Sequence, residues 1–160
     1  MSVGTADLQK AVVTVWNASS LNALFIALGG QAPVLQDQEA VPTQSYPYCV
    51  LNQPDLDTET RMSSPVSGSR HIRNAAQSFS IYAKEVSGDS RTPKEIAAYL
   101  AEELMKVFGG HPTETTPDLT LDNGNHLITQ YQNDVAIRLG DDQYQWNIDY
   151  VFKLDVPVMA

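Results

Sequence analysis

The strongest periodic signal in the chain is a strict alternation of apolar and polar residues near its C-terminal end. From Gln143 to Val156 an apolar side chain occupies every second position, and Val151 is the one apolar residue among the intervening polar ones. A period of two is typical of a strand with one buried face and one wet face. The sequence therefore predicts a long antiparallel strand over 143–156, with Trp146, Tyr150 and Phe152 on its buried face.

The N-terminal part of the chain shows helical spacing instead. Apolar residues between Thr5 and Ala18, Trp16 among them, recur on one face of a helix. A second, shorter helix is predicted from about Ser20 to Leu28, because the Gly29-Gly30 pair that follows accepts the backbone conformation that ends a helix. The sequence therefore predicts a pair of N-terminal helices.

The clearest helix start lies later in the chain. Thr92 is followed by a proline and, three residues on, by a glutamate, which together form a capping box with proline at the first helical position. An apolar stripe that includes Leu100 and Leu104 then continues to a Gly-Gly-Pro stop. The sequence predicts one long helix from Pro93 to Phe108.

The central part of the chain predicts two strands around a long polar segment. Tyr46-Pro47-Tyr48-Cys49-Val50-Leu51 and the alternating run Ala76–Lys84, which contains Phe79, read as strands. The polar residues from about 53 to 75 lack a core pattern, so they are predicted to form a mobile loop at the end of an extended hairpin. Asp118–Leu121 is predicted as a further short strand.

Two shorter signals complete the pattern. Asn123-Gly124 is typical of a tight turn. Alternating apolar residues from Tyr131 to Leu139 lead to Gly140-Asp141-Asp142, which reads as the turn into the last strand. The prediction is a single α+β domain over 1–160. Its antiparallel sheet has about four strands with a long hairpin, and its apolar face is packed by the capped helix and the N-terminal helix pair.

Composition excludes several functions. The net charge of −9 argues against binding that depends on neutralising nucleic-acid phosphates. No apolar run approaches the roughly 20 residues that span a bilayer, and Met1–Thr5 does not resemble the start of a secretion signal. The lone Cys49 reads as a small buried hydrophobe, because no base that would activate it is visible in sequence.

The residue patterns of catalysis and metal binding are also missing. The histidines His71, His111 and His126 are far apart in sequence, and the acidic run Asp55–Glu59 fails the spacing of a calcium loop. No serine stands in a nucleophile elbow, and the glycine pairs end helices without a following lysine. We therefore predict no catalytic residue, no metal and no cofactor, and hence a protein that is not an enzyme.

One group of positive charges stands out within the polar segment. No lysine or arginine occurs between Ala11 and Thr60, and then Arg61, Arg70, His71 and Arg73 follow closely. These residues are candidates for contact with an acidic partner surface, a nucleic-acid backbone or a ring lumen. An equally favoured interpretation is a solvated loop with incidental arginines.

The order of elements and several local stretches resemble the tail terminator, or tail-completion, proteins of long-tailed bacteriophages. The stretches are Val15-Trp16-Asn17-Ala18, Tyr46-Pro47-Tyr48-Cys49-Val50, Phe79-Ser80-Ile81-Tyr82-Ala83, the helix from Thr92 to Phe108 and Asn147-Ile148-Asp149-Tyr150-Val151-Phe152. The resemblance spans most of the chain and lies in element order and local sequence.

What the resemblance implies is a structural virion protein at the head–tail junction, assembled in the host cytoplasm. It would form a homo-oligomeric ring, commonly a hexamer, that caps the tail tube and binds the head connector, while DNA passes through without sequence-specific binding. No membrane is implied. The alternatives are a head-closure or adaptor protein of the neck and, from a different class, a small ligand-binding domain or enzyme. The residues expected in the core or at an interface are Trp16, Phe79, Leu100, Leu104, Trp146, Tyr150 and Phe152.

Overall fold

Three helices and one sheet make up the part of the chain that the structure describes. The computed structural model describes residues 5–36, 45–52, 55–64, 68–110, 119–121, 125–140 and 142–157. Its helices are α1 (Thr5–Ala18), α2 (Leu21–Ala27) and α3 (Pro93–Phe108), and its strands are β1 (Leu35–Gln36), β2 (Tyr48–Leu51), β3 (Asp55–Ser64), β4 (Gly68–Lys84), β5 (Asn125–Arg138) and β6 (Gln143–Pro157). None of the described helices is both long and apolar enough to cross a membrane.

The three helices lie where local sequence places them. α1 and α3 have the predicted bounds, and α2 is one residue shorter at each end than predicted. Thr92 is the N-cap of α3, and its side chain accepts a hydrogen bond from the Glu95 amide, so the first half of the predicted capping box is present. The α+β class is confirmed.

The sheet contains six strands among the described residues, in the order β1-β2-β4-β6-β5, with β3 also paired to β4. All pairs are antiparallel except β1 with β2, which is parallel. The prediction of about four antiparallel strands was therefore too low. The two additional strands escaped it because β1 spans two residues and β3 carries no apolar alternation in its sequence.

A long hairpin replaces most of the loop predicted at 53–75. β3 pairs with β4 from Asp55 opposite Ala76 to Ser64 opposite Gly68, with one bulge between Thr58 and Thr60. β6 pairs along the other side of β4 as far as Pro157, which lies opposite Arg70. We call β3 and residues 68–76 of β4 the arm. Backbone pairing with β4 and β6, rather than an apolar pattern, makes these polar residues strands.

The core lies between one face of the sheet and the three helices. Phe79 is at its centre, stacked on Trp16, tilted against Phe108 and edge-on to Tyr150. Six of the seven residues expected in the core or at an interface are fully or almost fully buried: Trp16, Phe79, Leu100, Leu104, Tyr150 and Phe152. Trp146, the seventh, is half-buried against the core and reaches the sheet edge.

Two short elements differ from prediction or lie beyond the description. The described part of the predicted strand Asp118–Leu121 is irregular chain, in which Leu119 is buried against the core. Its apolar residues are explained by packing rather than by strand pairing. The predicted turn at Asn123-Gly124, His111 and Asp141 lie outside the described residues.

Candidate assembly surface

The strand β5 forms one outer edge of the sheet and carries an exposed apolar surface. It pairs with β6 on one side only among the described strands. Five large apolar or aromatic residues on β5 and just after it are exposed, which we call the edge row: Leu127, Tyr131, Val135, Ile137 and Leu139. They lie on both sides of the strand: Val135 and Ile137 are opposite Asn147 and Gln145 on the face away from the helices, whereas Tyr131 is opposite the buried Tyr150. Leu127 exposes 51% of its surface and Val135 45%. An edge strand of this kind invites a covering partner.

The sequence of β5 has only part of the usual protection of a free edge, since Asp134, opposite the buried Ile148, is an inward-facing charge. Edge strands commonly carry lysines, prolines or inward-pointing charges that discourage pairing with another chain. β5 contains neither lysine nor proline over its 14 residues. Two bulges, between His126 and Ile128 and between Tyr131 and Asn133, interrupt its register with β6. Bulges are themselves a common protection against edge-to-edge strand pairing, so β5 is better suited to packing by side chains than to regular pairing with another strand.

A hydrogen-bonded cluster holds the middle of the edge row in place. The Tyr131 hydroxyl and the Trp146 indole Nε1 both donate to the Asp134 carboxylate, the latter over 2.8 Å. Burial, followed by the bond to Asp134, raises the pKa of Tyr131 to about 12. The Tyr131 ring also lies edge-on to Tyr150 with a centroid separation of 6.1 Å. Tyr131 is therefore preorganised, so covering it would need little ordering of its side chain.

A second apolar surface lies at the opposite end of the sheet order. A groove of about 520 Å³ runs between α1, α2 and the segment leading into β1, and we call it the helix groove. The described residues that line it include no ionisable side chain: Val13, Asn17, Asn22, Ile26, Ala32, Pro33, Val34 and Leu35. Ile26 exposes 47% of its surface there.

Two side-chain hydrogen bonds fix the polar wall of the helix groove. The Trp16 Nε1 donates to Asn22 Oδ1 over 2.7 Å, and Asn22 Nδ2 donates to Asn17 Oδ1 over 3.1 Å. Because Trp16 is fully buried, this chain of bonds ties the groove wall to the core. The helix groove is therefore a built feature of the fold.

The arm brings three of the four predicted contact residues together. Arg61 lies directly opposite His71 in the β3–β4 register, and Arg73, two positions along β4, lies opposite Thr58. These three positions share one face of the arm. Arg70 lies opposite Met62 and therefore belongs to the other face.

The other candidate groups for chemistry are occupied in structural roles. Cys49 is fully buried, and burial raises the pKa of its thiol, so the nucleophilic thiolate is disfavoured. His126 accepts a hydrogen bond from the Leu119 amide at Nδ1 over 3.5 Å, and its Nε2 lies 2.8 Å from Thr129 Oγ1. Within the described ranges no three histidine, cysteine, aspartate or glutamate side chains lie close enough to hold a metal ion.

The edge row and the helix groove were missed by sequence reasoning. The alternation from Tyr131 to Leu139 predicted a strand, and β5 is that strand, but alternation is normally taken to mean burial within the same chain. The exposure of Ile26 has no sequence signal either, since it continues the apolar stripe of α2. The arm residues carried a charge signal, which is why sequence reasoning found them.

Comparison with known proteins adds one fold relationship. No protein-family model and no curated protein matches the sequence. Among solved structures, the chain is similar to a chain of the virion of a native gene transfer agent (GTA) particle. The TM-score is 0.64 at 18% identity, and the match covers 96% of this chain and 99% of that one. At this identity the likeness concerns the fold, and it extends over nearly the whole length of both chains.

Proposed function

We propose that the protein is a structural component of a phage-like virion and that it acts as a tail terminator. In this role, copies form a ring, six-membered as the family resemblance implies, that caps the tail tube, ends its polymerisation and joins the tail to the head connector. The observation that carries the proposal is the fold shared, end to end, with a chain of a virion particle. The bacteriophage resemblance of the sequence supports the same role independently.

Surface features agree with an assembly protein. Proteins that work as monomers rarely expose a row of large apolar side chains on a sheet edge, whereas subunits of an assembly cover such rows on contact. The edge row and the helix groove offer two such surfaces on one chain. An interior built from an acidic chain would let DNA pass without being held, since no counterions are released on contact.

The arm is proposed as the part that reaches a neighbouring virion protein. Arg61, His71 and Arg73 share one face of the arm and Arg70 lies on the other, while β3 also carries three acidic residues, Asp55, Asp57 and Glu59. An acidic surface on the tube end or the connector would attract the face that holds Arg61 and Arg73, and the attraction would weaken with added salt. Tube ends are therefore the partner to test first.

The experiment uses purified protein and tail tubes, with free and tube-bound copies counted separately. Native mass spectrometry over a wide concentration range and negative-stain images report rings. Tubes are grown with and without the protein, and their lengths and the fraction of tube ends that carry the protein are measured. Closed rings at one tube end, with elongation stopped, are expected. Failure of the protein to bind tube ends, whatever its own oligomeric state, would refute the terminator role. Binding to the portal side instead would assign it to the neck as a head-closure or adaptor protein.

The arm is tested by charge removal with a matched control. Changing the three arm arginines to serine should leave thermal unfolding unchanged and weaken binding to tube ends. The control removes three positive charges elsewhere, by Lys10→Ser, Lys94→Ser and Lys106→Ser. Equal loss of binding in both triple variants would show a general charge effect and would remove the arm from the contact.

A further inference from the structure

We propose that the edge row of one copy packs into the helix groove of the next copy, so that subunits associate head to tail. The proposal deepens the ring proposed above and rests on it for its biological setting. It commits both surfaces to a single contact between two copies of this chain. The contact joins β5 of one subunit to α1, α2 and the β1 segment of its neighbour.

The first argument is where the exposed apolar residues lie. Across the part of the chain that the structure describes, six large apolar or aromatic residues are exposed. Five of them form the edge row, and the sixth, Ile26, lines the helix groove. Exposed apolar area of this kind is therefore confined to two surfaces. Contact between them would cover Ile26 together with the outer-face residues Val135 and Ile137 of the edge row.

The second argument is their placement in the fold. β5 is the last strand of the sheet order at one end, and β1, whose Leu35 lines the helix groove, is the last strand at the other. Two different surfaces at opposite ends of a subunit form a heterologous interface. Repeated by rotation, such an interface closes into a ring or continues as a filament. A contact between two identical edge rows would instead stop at a dimer.

The third argument is electrostatic. Each copy carries a net charge of −9, so two copies repel each other except where the surfaces in contact carry little charge. Among the described residues, the lining of the helix groove contains no ionisable side chain, and four of the five edge-row side chains are aliphatic. The fifth, Tyr131, is uncharged at neutral pH, as tyrosines ordinarily are. The apolar side chains of the two surfaces therefore match in polarity, and Arg138, exposed between Ile137 and Leu139, is the charged neighbour that the contact has to leave in water.

The fourth argument is size and rigidity. A groove of about 520 Å³ is large enough to receive more than one aliphatic side chain from a neighbour. Hydrogen bonds to tryptophans hold part of each surface, through the fully buried Trp16 at the groove and through the half-buried Trp146, which shares Asp134 with Tyr131. Two preformed surfaces lose little conformational freedom when they meet.

The test uses one lysine substitution on each surface. Ile137→Lys disrupts the edge row and leaves the groove intact, and Ile26→Lys does the reverse. Both changes make the net charge less negative, so general repulsion between copies decreases. Any loss of association then reports the lost contact. Ser90→Lys, at an exposed turn position, is the matched control. Circular dichroism and thermal unfolding establish that every variant is folded.

Each single variant is expected to associate at least about tenfold more weakly than the wild type and the control. The decisive sample is a 1:1 mixture of the two variants, with one labelled with ¹⁵N because their masses are otherwise equal. One intact edge row and one intact helix groove remain in that mixture. Native mass spectrometry should show a heterodimer that grows no further.

A chemical cross-link gives a second readout that does not depend on disrupting a surface. In a variant that carries Ile26→Cys and Ile137→Cys together, a short bismaleimide should join copies into a ladder of oligomers. Each single-cysteine variant should give little product. Cys49 is fully buried and contributes no background while the chain is folded.

The outcomes separate this inference from the proposed function. The edge–groove contact would be overturned if the Ile26→Lys variant still formed rings. It would also be overturned if the mixed variants gave no heterodimer and the double-cysteine variant gave no cross-linked ladder. Either result would leave the proposed ring itself standing. A symmetric dimer, in which the edge rows of two copies pair with each other, would also overturn the edge–groove contact. In that case the Ile26→Lys variant would dimerise as well as the wild type. Head-to-tail oligomers that fail to bind tube ends would support the contact and refute the terminator role.

Discussion

Removing the hydroxyl of Tyr150 tests how the sheet is joined to the long helix. Tyr150 on β6 is 1% exposed, and its hydroxyl donates a hydrogen bond of 2.6 Å to the carbonyl oxygen of Gly109, the residue that ends α3. Gly109 is itself buried. The substitution Tyr150→Phe deletes the bond to Gly109 and keeps the aromatic ring, so packing against Phe79 and Phe108 is retained.

The expected loss of stability comes from the Gly109 carbonyl, which stays buried but loses its hydrogen-bond donor. A buried acceptor left without a donor costs about 1–3 kcal/mol. For a chain of this length each kcal/mol corresponds to a melting-temperature shift of about 2–4 °C. A loss of about 2 kcal/mol therefore predicts a melting temperature lower by roughly 4–8 °C. The urea midpoint should fall while the slope of the transition is unchanged, because the surface exposed on unfolding is the same.

The control for this measurement is Tyr144→Phe. Tyr144 lies on the same strand and is half-buried, and its hydroxyl has no hydrogen bond to the described residues. All variants are compared at one protein concentration, because association between copies adds apparent stability. If Tyr150→Phe is as stable as Tyr144→Phe, the buried bond to Gly109 does not stabilise the fold, and the reasoning is refuted.

Three further substitutions probe the helix cap and the edge. Thr92→Ala should lower the free energy of unfolding by about 1 kcal/mol, because the N-cap hydrogen bond is lost. The control is Ser90→Ala at an exposed position, and equal urea midpoints for the two variants would contradict this prediction. Gly110→Ala should destabilise the fold by about 1–3 kcal/mol for two reasons: Gly110 has φ +100°, and an added Cβ would lie 2.7 Å from the Tyr131 ring. The double variant Gly110→Ala/Tyr131→Ala should recover only the part of this loss that is due to the clash with the ring. The raised pKa of Tyr131 stabilises the fold below pH 10, and this contribution is lost as the pH rises towards about 12. In Asp134→Asn the NMR-detected titration of Tyr131 should move down towards 10 without reaching it, because burial is the larger cause.

Local chemistry in the sequence was sufficient for the helices and the last strand. The capping box at Thr92 and the glycines after Phe108 define α3, whose bounds match the prediction at both ends. The alternation from Gln143 is that of β6, which the structure extends by one residue to Pro157. These signals depend on neighbours within a few positions, so they are readable from the chain alone.

Pairing between distant segments decided the rest of the sheet. β3 has polar residues on both faces, and it is a strand because β4, folded back on it, supplies hydrogen-bond partners. The two-residue β1 exists only because Leu35 comes to lie opposite Cys49 of β2. Neither partner can be read from the residues of the strand itself, so the arm was predicted as a loop.

For the candidate assembly surface, the sequence determined the composition and the tertiary structure determined the exposure. The alternating apolar residues of β5 are evident in sequence, and the stripe of α2 that contains Ile26 is equally clear. Neither pattern states what covers them. Within the described part of the chain, the order of the strands and the packing of the helices on one face leave β5 and the α1–α2 groove open at opposite ends of the sheet. The physical reason is that hydrophobic burial is non-directional, so an apolar residue is satisfied equally by its own chain or by another copy.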